Sequence, residues 1–104
     1  MAQVFVSYRL KPGVTREQFE SWSRSTDVPA LRSLLRVKSI SVYRVEEKLM
    51  AAGTPTYQYI ELLDIPDLPG FLANDIPGTV MSDILAQFGG LTDNVEIVSA
   101  TQLS

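Results

Sequence analysis

Residues 4–22 constrain the fold more than any other stretch, because they hold a strand, a turn and a helix start in direct succession. Apolar and aromatic side chains alternate with their neighbours over residues 4–10, which is the period-two pattern of a β-strand. Residues 11–13 (Lys-Pro-Gly) end this strand, since proline has no N–H for the ladder and glycine adopts positive φ. Thr15 and Gln18 have the spacing of a capping box, which predicts that a helix begins directly after Thr15.

The first helix is predicted to be interrupted. Pro29 cannot donate a hydrogen bond to Ser25 and would clash there, so the helix is expected to kink or end near residues 25–27. Asp27 is then expected to cap a second helical piece. The apolar stripe of that piece is predicted to consist of Leu31, Leu34 and Leu35.

Three further strands and a second broken helix follow. Period-two patterns predict strands over residues 39–47, 57–64 and 94–103. Asp67 is expected to cap the first part of the second helix. The second part is predicted over residues 78–88, burying Val80, Ile84, Leu85 and Phe88 and ending at Gly89-Gly90 as a C-cap.

The order β-α-β-β-α-β predicts an α+β protein of the ferredoxin-like class, with a four-stranded antiparallel sheet and both helices on one face. Its length of 104 residues suits a single domain over residues 1–104. All four predicted strands carry apolar residues on both faces, and the chain has no element left to cover the second face. A second copy of the same sheet is the simplest cover, so we expect a homodimer.

Composition excludes several kinds of chemistry. The chain has no His and no Cys, which rules out disulfides, zinc–thiolate sites, thiol nucleophiles, His-ligated metal or haem, and a Ser-His mechanism. We therefore expect no cofactor. A net charge of −3 without a basic cluster argues against nucleic acid, and no apolar run reaches membrane-spanning length. The first residues lack a secretory pattern, which predicts a cytoplasmic protein.

Three segments resemble a known family. They are Asp27-Val-Pro-Ala-Leu-Arg, Ser39-Ile-Ser-Val-Tyr-Arg-Val and Tyr57-Gln-Tyr-Ile-Glu-Leu. Together with the order of elements, they are similar to the dimeric α/β-barrel superfamily and, within it, to the REDY-like HapK family. Residues 35–37 (Leu-Arg-Val) depart from the Pro-Gly-Val usual before strand 2. The resemblance implies a homodimer and a link to bacterial prodigiosin-type pigment clusters, while superfamily chemistry ranges from cofactor-free monooxygenases and cyclases to haem enzymes and EthD-like proteins.

Three strand residues are candidate catalytic groups. Glu61 lies mid-strand among apolar residues, where a half-buried carboxyl group has a raised pKa and can abstract a proton. An ion pair between Glu61 and Arg44 across neighbouring strands is the alternative. Tyr8 can act as a general acid and Arg44 can stabilise an enolate oxygen, although cross-strand aromatic pairs and a surface arginine explain the same residues.

Four residues are candidates for substrate binding. Trp22 and Phe19 define the inward face of the first helix, so Trp22 can stack on a flat aromatic substrate or serve as a core aromatic. Tyr59 belongs to the group of strand tyrosines that can orient a phenol or ketone. Asp75 precedes the break in the second helix, where it either lines a pocket or caps the following half-helix. No spacing of acidic residues indicates a metal site.

Two classes of function remain open at this stage, with a structural partner of a larger enzyme as a third. One is a cofactor-independent oxygenase, cyclase or isomerase acting on an aromatic or pyrrolic intermediate. The other is a non-catalytic protein that holds such an intermediate. An enzyme should gather Tyr, Arg and Glu side chains around one cavity, whereas a carrier needs only an apolar one.

Overall fold

The computed structural model describes residues 2–104, and it confirms the predicted order of elements. All pairings in the sheet are antiparallel, and the strand order is β2-β3-β1-β4. The strands are β1 (Ala2–Leu10), β2 (Ser39–Arg44), β3 (Tyr59–Ile65) and β4 (Thr92–Ala100). The helices are α1 (Arg16–Trp22), α2 (Val28–Arg32), α3 (Leu68–Gly70) and α4 (Thr79–Leu91). The predicted α+β, ferredoxin-like class is therefore confirmed.

The junction between β1 and α1 is the best-predicted part of the chain. The Thr15 hydroxyl accepts a hydrogen bond from the Gln18 N–H at 3.1 Å, and the Gln18 side chain accepts from the Thr15 N–H at 2.9 Å. This reciprocal pair satisfies two backbone donors that a helix start leaves free. The helix accordingly begins at Arg16, as the capping box predicts.

A π-helical turn (the first π-turn, Ser23–Asp27) joins α1 to α2. The Val28 N–H donates to the Ser23 carbonyl, five residues back, so the turn widens before the proline instead of breaking the helix. The break was predicted at the right place, but the helical path continues through it. Asp27 makes no capping hydrogen bond, so its predicted cap is wrong. Leu35 is fully exposed, which also contradicts its predicted place in the apolar stripe.

The second helical region repeats this arrangement. Asp67 caps α3 by accepting from the Gly70 N–H at 3.0 Å, as predicted. The second π-turn (Phe71–Asp75) again precedes an X-Pro pair, and the Ile76 N–H donates to the Phe71 carbonyl at 3.0 Å. Asp75 does not cap the next helix, because the N-cap of α4 is Gly78. The capping interpretation of Asp75 is therefore wrong.

The end of α4 also differs from the sequence prediction. The helix runs through Gly89-Gly90 to Leu91, and neither glycine has positive φ, so these residues do not form the predicted C-cap. The Thr92 hydroxyl donates to the Phe88 carbonyl at 2.7 Å and satisfies one of the last free acceptors. The predicted apolar face of α4 was also partly wrong. The helix buries Met81 and Ile84, whereas Val80 is 38% exposed and Leu85 is 40% exposed.

The strands end close to their predicted limits. β2 stops at Arg44, earlier than predicted, and β3 begins at Tyr59 and continues to Ile65. β4 spans Thr92–Ala100, which is displaced toward the N-terminus of its predicted range. Its pairing with β1 shifts register between Ser7 and Arg9, so the irregularity lies beside Tyr8. Irregularities of this kind are common near functional sites because they change the direction of a side chain.

The helices cover only one face of the sheet. Buried residues on that face form one aliphatic cluster with Phe71, and one aromatic cluster of Tyr8, Phe19 and Tyr59. The opposite face carries apolar side chains that pair across the strands and are partly exposed: Phe5, Tyr43, Ile60, Leu62 and Val98. Among the helices within residues 2–104, none combines the length and apolar character needed to cross a lipid bilayer.

Candidate functional site

A cavity of about 100 Å³ lies between the helices and the sheet. Its walls are apolar except for two acidic side chains, Asp27 and Glu61. Leu85 and Ile97 also belong to the wall and are 40% and 60% exposed, so the cavity reaches the surface between α4 and β4. Its apolar wall includes Val4, Leu31, Leu63, Phe71, Met81 and Phe88. An apolar pocket with few polar groups is the usual form of a small-molecule site.

Glu61 is held on this wall by a neighbouring tyrosine. Tyr8 on β1 donates its hydroxyl to Glu61 Oε2 at 2.5 Å, and both side chains point to the helix-covered face. Glu61 is 4% exposed. Burial, followed by the negative charge of Asp27, raises the pKa of Glu61 to about 8, although the Tyr8 hydrogen bond works in the opposite direction. Burial also raises the pKa of Tyr8, so this hydroxyl remains a donor.

Asp27 is a site residue that the sequence analysis did not identify. The first π-turn directs it into the protein, where it is 2% exposed. Burial raises its pKa to about 6. Within residues 2–104, its Oδ2 atom has no hydrogen-bond partner. The sequence Asp27-Val-Pro marks an irregularity in the helix, and it was interpreted as a helix cap. The structure contradicts that interpretation.

The aromatic cluster adjoins the cavity without opening into it. Phe88 belongs to the cavity wall and packs edge-on against Tyr8, with ring centroids 4.8 Å apart. Phe19 contacts Tyr8 and Tyr59, and it does not line the cavity. Trp22 packs against Phe19 and Phe88, while its Nε1 donates to Gln87 at 2.8 Å. The structure therefore separates Trp22 from the cavity by one layer of side chains.

Arg44 belongs to a different polar cluster. It makes two hydrogen bonds to the Glu20 carboxylate, at 2.6 and 2.8 Å, and the predicted ion pair between Arg44 and Glu61 is wrong. The Tyr59 hydroxyl donates to the same carboxylate at 2.7 Å. These residues border an open cleft of about 370 Å³ between the first helical region and β2. Sequence analysis missed Glu20, since no local pattern links it to Arg44 on a distant strand.

Removing the Arg44 guanidinium is expected to raise the pKa of Glu20. The hydrogen bonds from Arg44 and then Tyr59 lower that pKa from 4.5 to about 2. In Arg44→Ala, Tyr59 still donates, so the pKa should rise toward 4.5 without reaching it. An NMR titration of the Glu20 side chain measures this change, with Arg32→Ala as a control on the same cleft. An unchanged Glu20 titration in Arg44→Ala would contradict the assigned ion pair.

Asp75 lies apart from the cavity. It pairs with Arg36 at 3.3 Å and is not among the cavity-lining residues. Of the predicted site residues, the structure brings Tyr8 and Glu61 together at the cavity. Phe19, Trp22 and Tyr59 lie in or beside the aromatic cluster. Arg44 pairs with Glu20, and Asp75 pairs with Arg36. Within the described residues, no group of three or more His, Cys, Asp or Glu side chains comes together as a metal site would require.

The order of elements, the antiparallel strand order and the helices on one face define a ferredoxin-like α+β protein. The chain belongs to the family of REDY-like HapK proteins, whose family model matches residues 2–103. The comparison with curated proteins found no match.

Three solved structures share the fold over nearly the whole chain. HapK from Hahella chejuensis is 25% identical with a TM-score of 0.81, and the alignment covers 99% of this chain and 93% of HapK. A dimeric ferredoxin-like protein of unknown function from Thermobifida fusca is 19% identical, with a TM-score of 0.71 and coverage of 97% and 90%. SnoaB, a cofactor-independent oxygenase from Streptomyces nogalater, is 12% identical, with a TM-score of 0.76 and coverage of 99% and 93%.

Proposed function

We propose that this protein binds an apolar aromatic or pyrrolic small molecule in the cavity and transfers a proton to or from it through Glu61, without a cofactor. The observation that carries the proposal is the buried Glu61 carboxyl group on an apolar cavity wall, hydrogen-bonded by Tyr8. A carboxyl group with a pKa of about 8 is divided between its two protonation states near neutral pH, so it can both accept and return a proton.

The comparisons support this proposal by analogy. SnoaB is described as a cofactor-independent oxygenase, so the same fold supports chemistry without a cofactor in at least that protein. Membership of the HapK family supports a role in bacterial secondary metabolism, and in particular in a prodigiosin-type pigment pathway. An oxygenase, a cyclase and an isomerase each need a proton to be moved, and Glu61 supplies that step for all of them.

A non-catalytic role in holding a pathway intermediate is the second candidate. It is favoured by the composition of the cavity wall, which gathers Asp27 and Glu61 but none of the arginines. Arg44, the expected oxyanion-stabilising residue, is instead engaged with Glu20. A carrier would bind the same ligand in the same cavity and leave its carbon-bound protons unexchanged.

The chemical probe 5-nitrobenzisoxazole separates these candidates, because removal of its C3 proton by a base breaks the N–O bond and releases a coloured nitrophenolate. We expect the wild-type protein to open the ring at least about tenfold faster than Glu61→Gln, with the rate rising as pH approaches 8. Gln retains an oxygen that can accept from Tyr8, so this variant preserves the hydrogen bond. Leu85→Trp, which fills the cavity rim, should remove the activity, and equal rates in wild type and Glu61→Gln would contradict proton transfer by Glu61.

The proposal includes a homodimer formed through the uncovered face of the sheet. Phe5 and Leu62 pair at the centre of this face, and Tyr43 and Val98 beside them are 53% and 44% exposed. The Thermobifida fusca structure is described as dimeric, which supports the same assembly here. The apolar side chains on the uncovered face of the sheet form a surface that a second copy of the chain can cover.

Light scattering after size exclusion is expected to give twice the chain mass of 11.5 kDa. Leu62→Lys should yield a folded monomer, because it places a charge at the centre of the proposed interface. Leu35→Lys is the matched control, since Leu35 is fully exposed after α2 and outside the sheet, and it should remain dimeric. A wild-type monomer at micromolar concentration would contradict the assembly.

A further inference from the structure

The unpaired oxygen of Asp27 shows which chemical group the cavity is suited to receive. Among the residues that the structure describes, Asp27 Oδ2 is buried and has no hydrogen-bond donor, although Asp27 belongs to the cavity wall. A buried acceptor without a partner is unfavourable, and a charged one more so. Asp27 lies at the end of the first π-turn and is 2% exposed, so this oxygen is shielded from bulk solvent.

Tyr8 and Glu61 do not satisfy this oxygen in the structure. The Tyr8 hydroxyl donates to Glu61 Oε2, and Asp27 Oδ2 has no partner among the described residues. The remaining wall residues are aliphatic or phenylalanine and methionine side chains, which carry no N–H or O–H group. Asp27 Oδ2 therefore remains free to accept a donor from a molecule inside the cavity.

We propose that the cavity selects an aromatic ring that carries a single hydrogen-bond donor, N–H or O–H, and that Asp27 Oδ2 accepts this donor. The inference rests on the proposed function, because it concerns the ligand of the same cavity, and it adds a binding role for Asp27 beside the proton-transfer role of Glu61. A volume of about 100 Å³ is suited to one ring, with larger substituents leaving through the opening at Leu85 and Ile97. The apolar wall, including Phe71 and Phe88, contacts the ring faces.

Two matched pairs of small molecules test this inference directly. Pyrrole and furan differ in one ring atom, which is an N–H donor in pyrrole and an oxygen in furan. Phenol and toluene have nearly the same shape, and phenol alone has an O–H donor. Binding is measured by NMR from the methyl groups of Leu63, Met81 and Ile84, which line the cavity, so a shift of these signals also locates the ligand.

In the wild-type protein at pH 7, pyrrole should bind about tenfold or more tightly than furan, and phenol about tenfold or more tightly than toluene. The pair with the larger ratio identifies the preferred donor. Asp27→Leu removes the acceptor while keeping the branched shape of the side chain, so both ratios should fall below about threefold, and furan and toluene should still bind. Asp27→Asn retains an acceptor oxygen and should give intermediate ratios if Asp27→Leu does not fold. Asp83→Leu, at an exposed aspartate of α4 that does not line the cavity, should leave both ratios unchanged.

The outcomes distinguish this inference from the proposed function. Equal binding of donor and donor-free rings by the wild-type protein overturns the role of Asp27, because a trapped water would then satisfy Oδ2, while binding in the cavity still stands. Unchanged ratios in Asp27→Leu overturn it as well. If none of the four rings shifts the cavity methyl signals, both the donor inference and the proposed cavity site fail.

Discussion

The free energy of unfolding of the wild-type protein is expected to fall by about 3–6 kcal/mol as the pH rises from 5 to 9. Glu61 titrates at 4.5 as a free side chain and at about 8 in the folded protein, and Asp27 at 3.8 and about 6. Between these values the folded state holds protons that the unfolded state has already lost. Stability contributed by the raised pKa values is thus complete below pH 4 and is lost as pH rises through 6 and 8.

Urea denaturation at pH 5, 7 and 9 measures this loss, and the double variant Asp27→Asn, Glu61→Gln should show almost none of it. The other shifted pKa values do not affect stability between pH 5 and 9. Glu20 changes its charge below this range, and Tyr8 and Tyr59 lose their protons above it. Arg44→Ala leaves both cavity acids in place, so it serves as the control and should keep the wild-type slope. A wild-type stability that rises from pH 5 to pH 9 would mean that the two acids are ionised and solvated.

Truncation of Phe19 is expected to cost about 3–5 kcal/mol of stability. Phe19 is 0% exposed, and its ring lies 4.8 Å from Tyr59 and 5.5 Å from Tyr8 between centroids. Phe19→Ala therefore leaves a void between α1 and the sheet and removes edge contacts to rings that support the Glu61 partner Tyr8. A cost of this size is a large share of the total stability of a domain of this length.

Thermal unfolding measures the effect, and Phe19→Ala should lower the melting temperature by at least about 10 °C. Phe19→Leu refills part of the space and should recover about half of the loss. Leu72→Ala is the exposed control, since Leu72 is 56% exposed, and it should change the melting temperature by no more than a few degrees. Similar losses in Phe19→Ala and Leu72→Ala would contradict the packing described for the aromatic cluster.

The parts of the fold that sequence predicts well are those in which short-range signals agree. The Thr15–Gln18 capping box fixed the start of α1 because both partners lie within one turn. The alternation predicted β1 and β3 as strands, but it left open which face of each strand meets the helices, because both faces carry apolar residues. The raised pKa of Glu61 was predicted from its place in the middle of a strand among apolar residues, and burial is its main cause in the structure.

The parts that sequence could not predict depend on distant partners or on an irregular helix. Arg44 pairs with Glu20, which lies 24 positions earlier and on another element, so no local spacing indicates the pair. Asp27 was misassigned as a cap because Pro29 predicts a break between two helical pieces, whereas a π-turn carries the helix through that position. Gly89-Gly90 resembled a C-cap, but α4 continues through both residues to Leu91.

The π-turns also have an evolutionary consequence. Each π-turn holds one more residue than an α-helical turn over the same rise, and one residue rotates a helix by about 100°. Loss of a single residue from Ser23–Asp27 would therefore turn Asp27 away from the cavity while leaving the sheet unchanged. A one-codon deletion or insertion in this segment can thus change the polarity of the cavity in one event, without any substitution in the wall. Relatives of this chain can in this way gain or lose a buried acid through helix length alone.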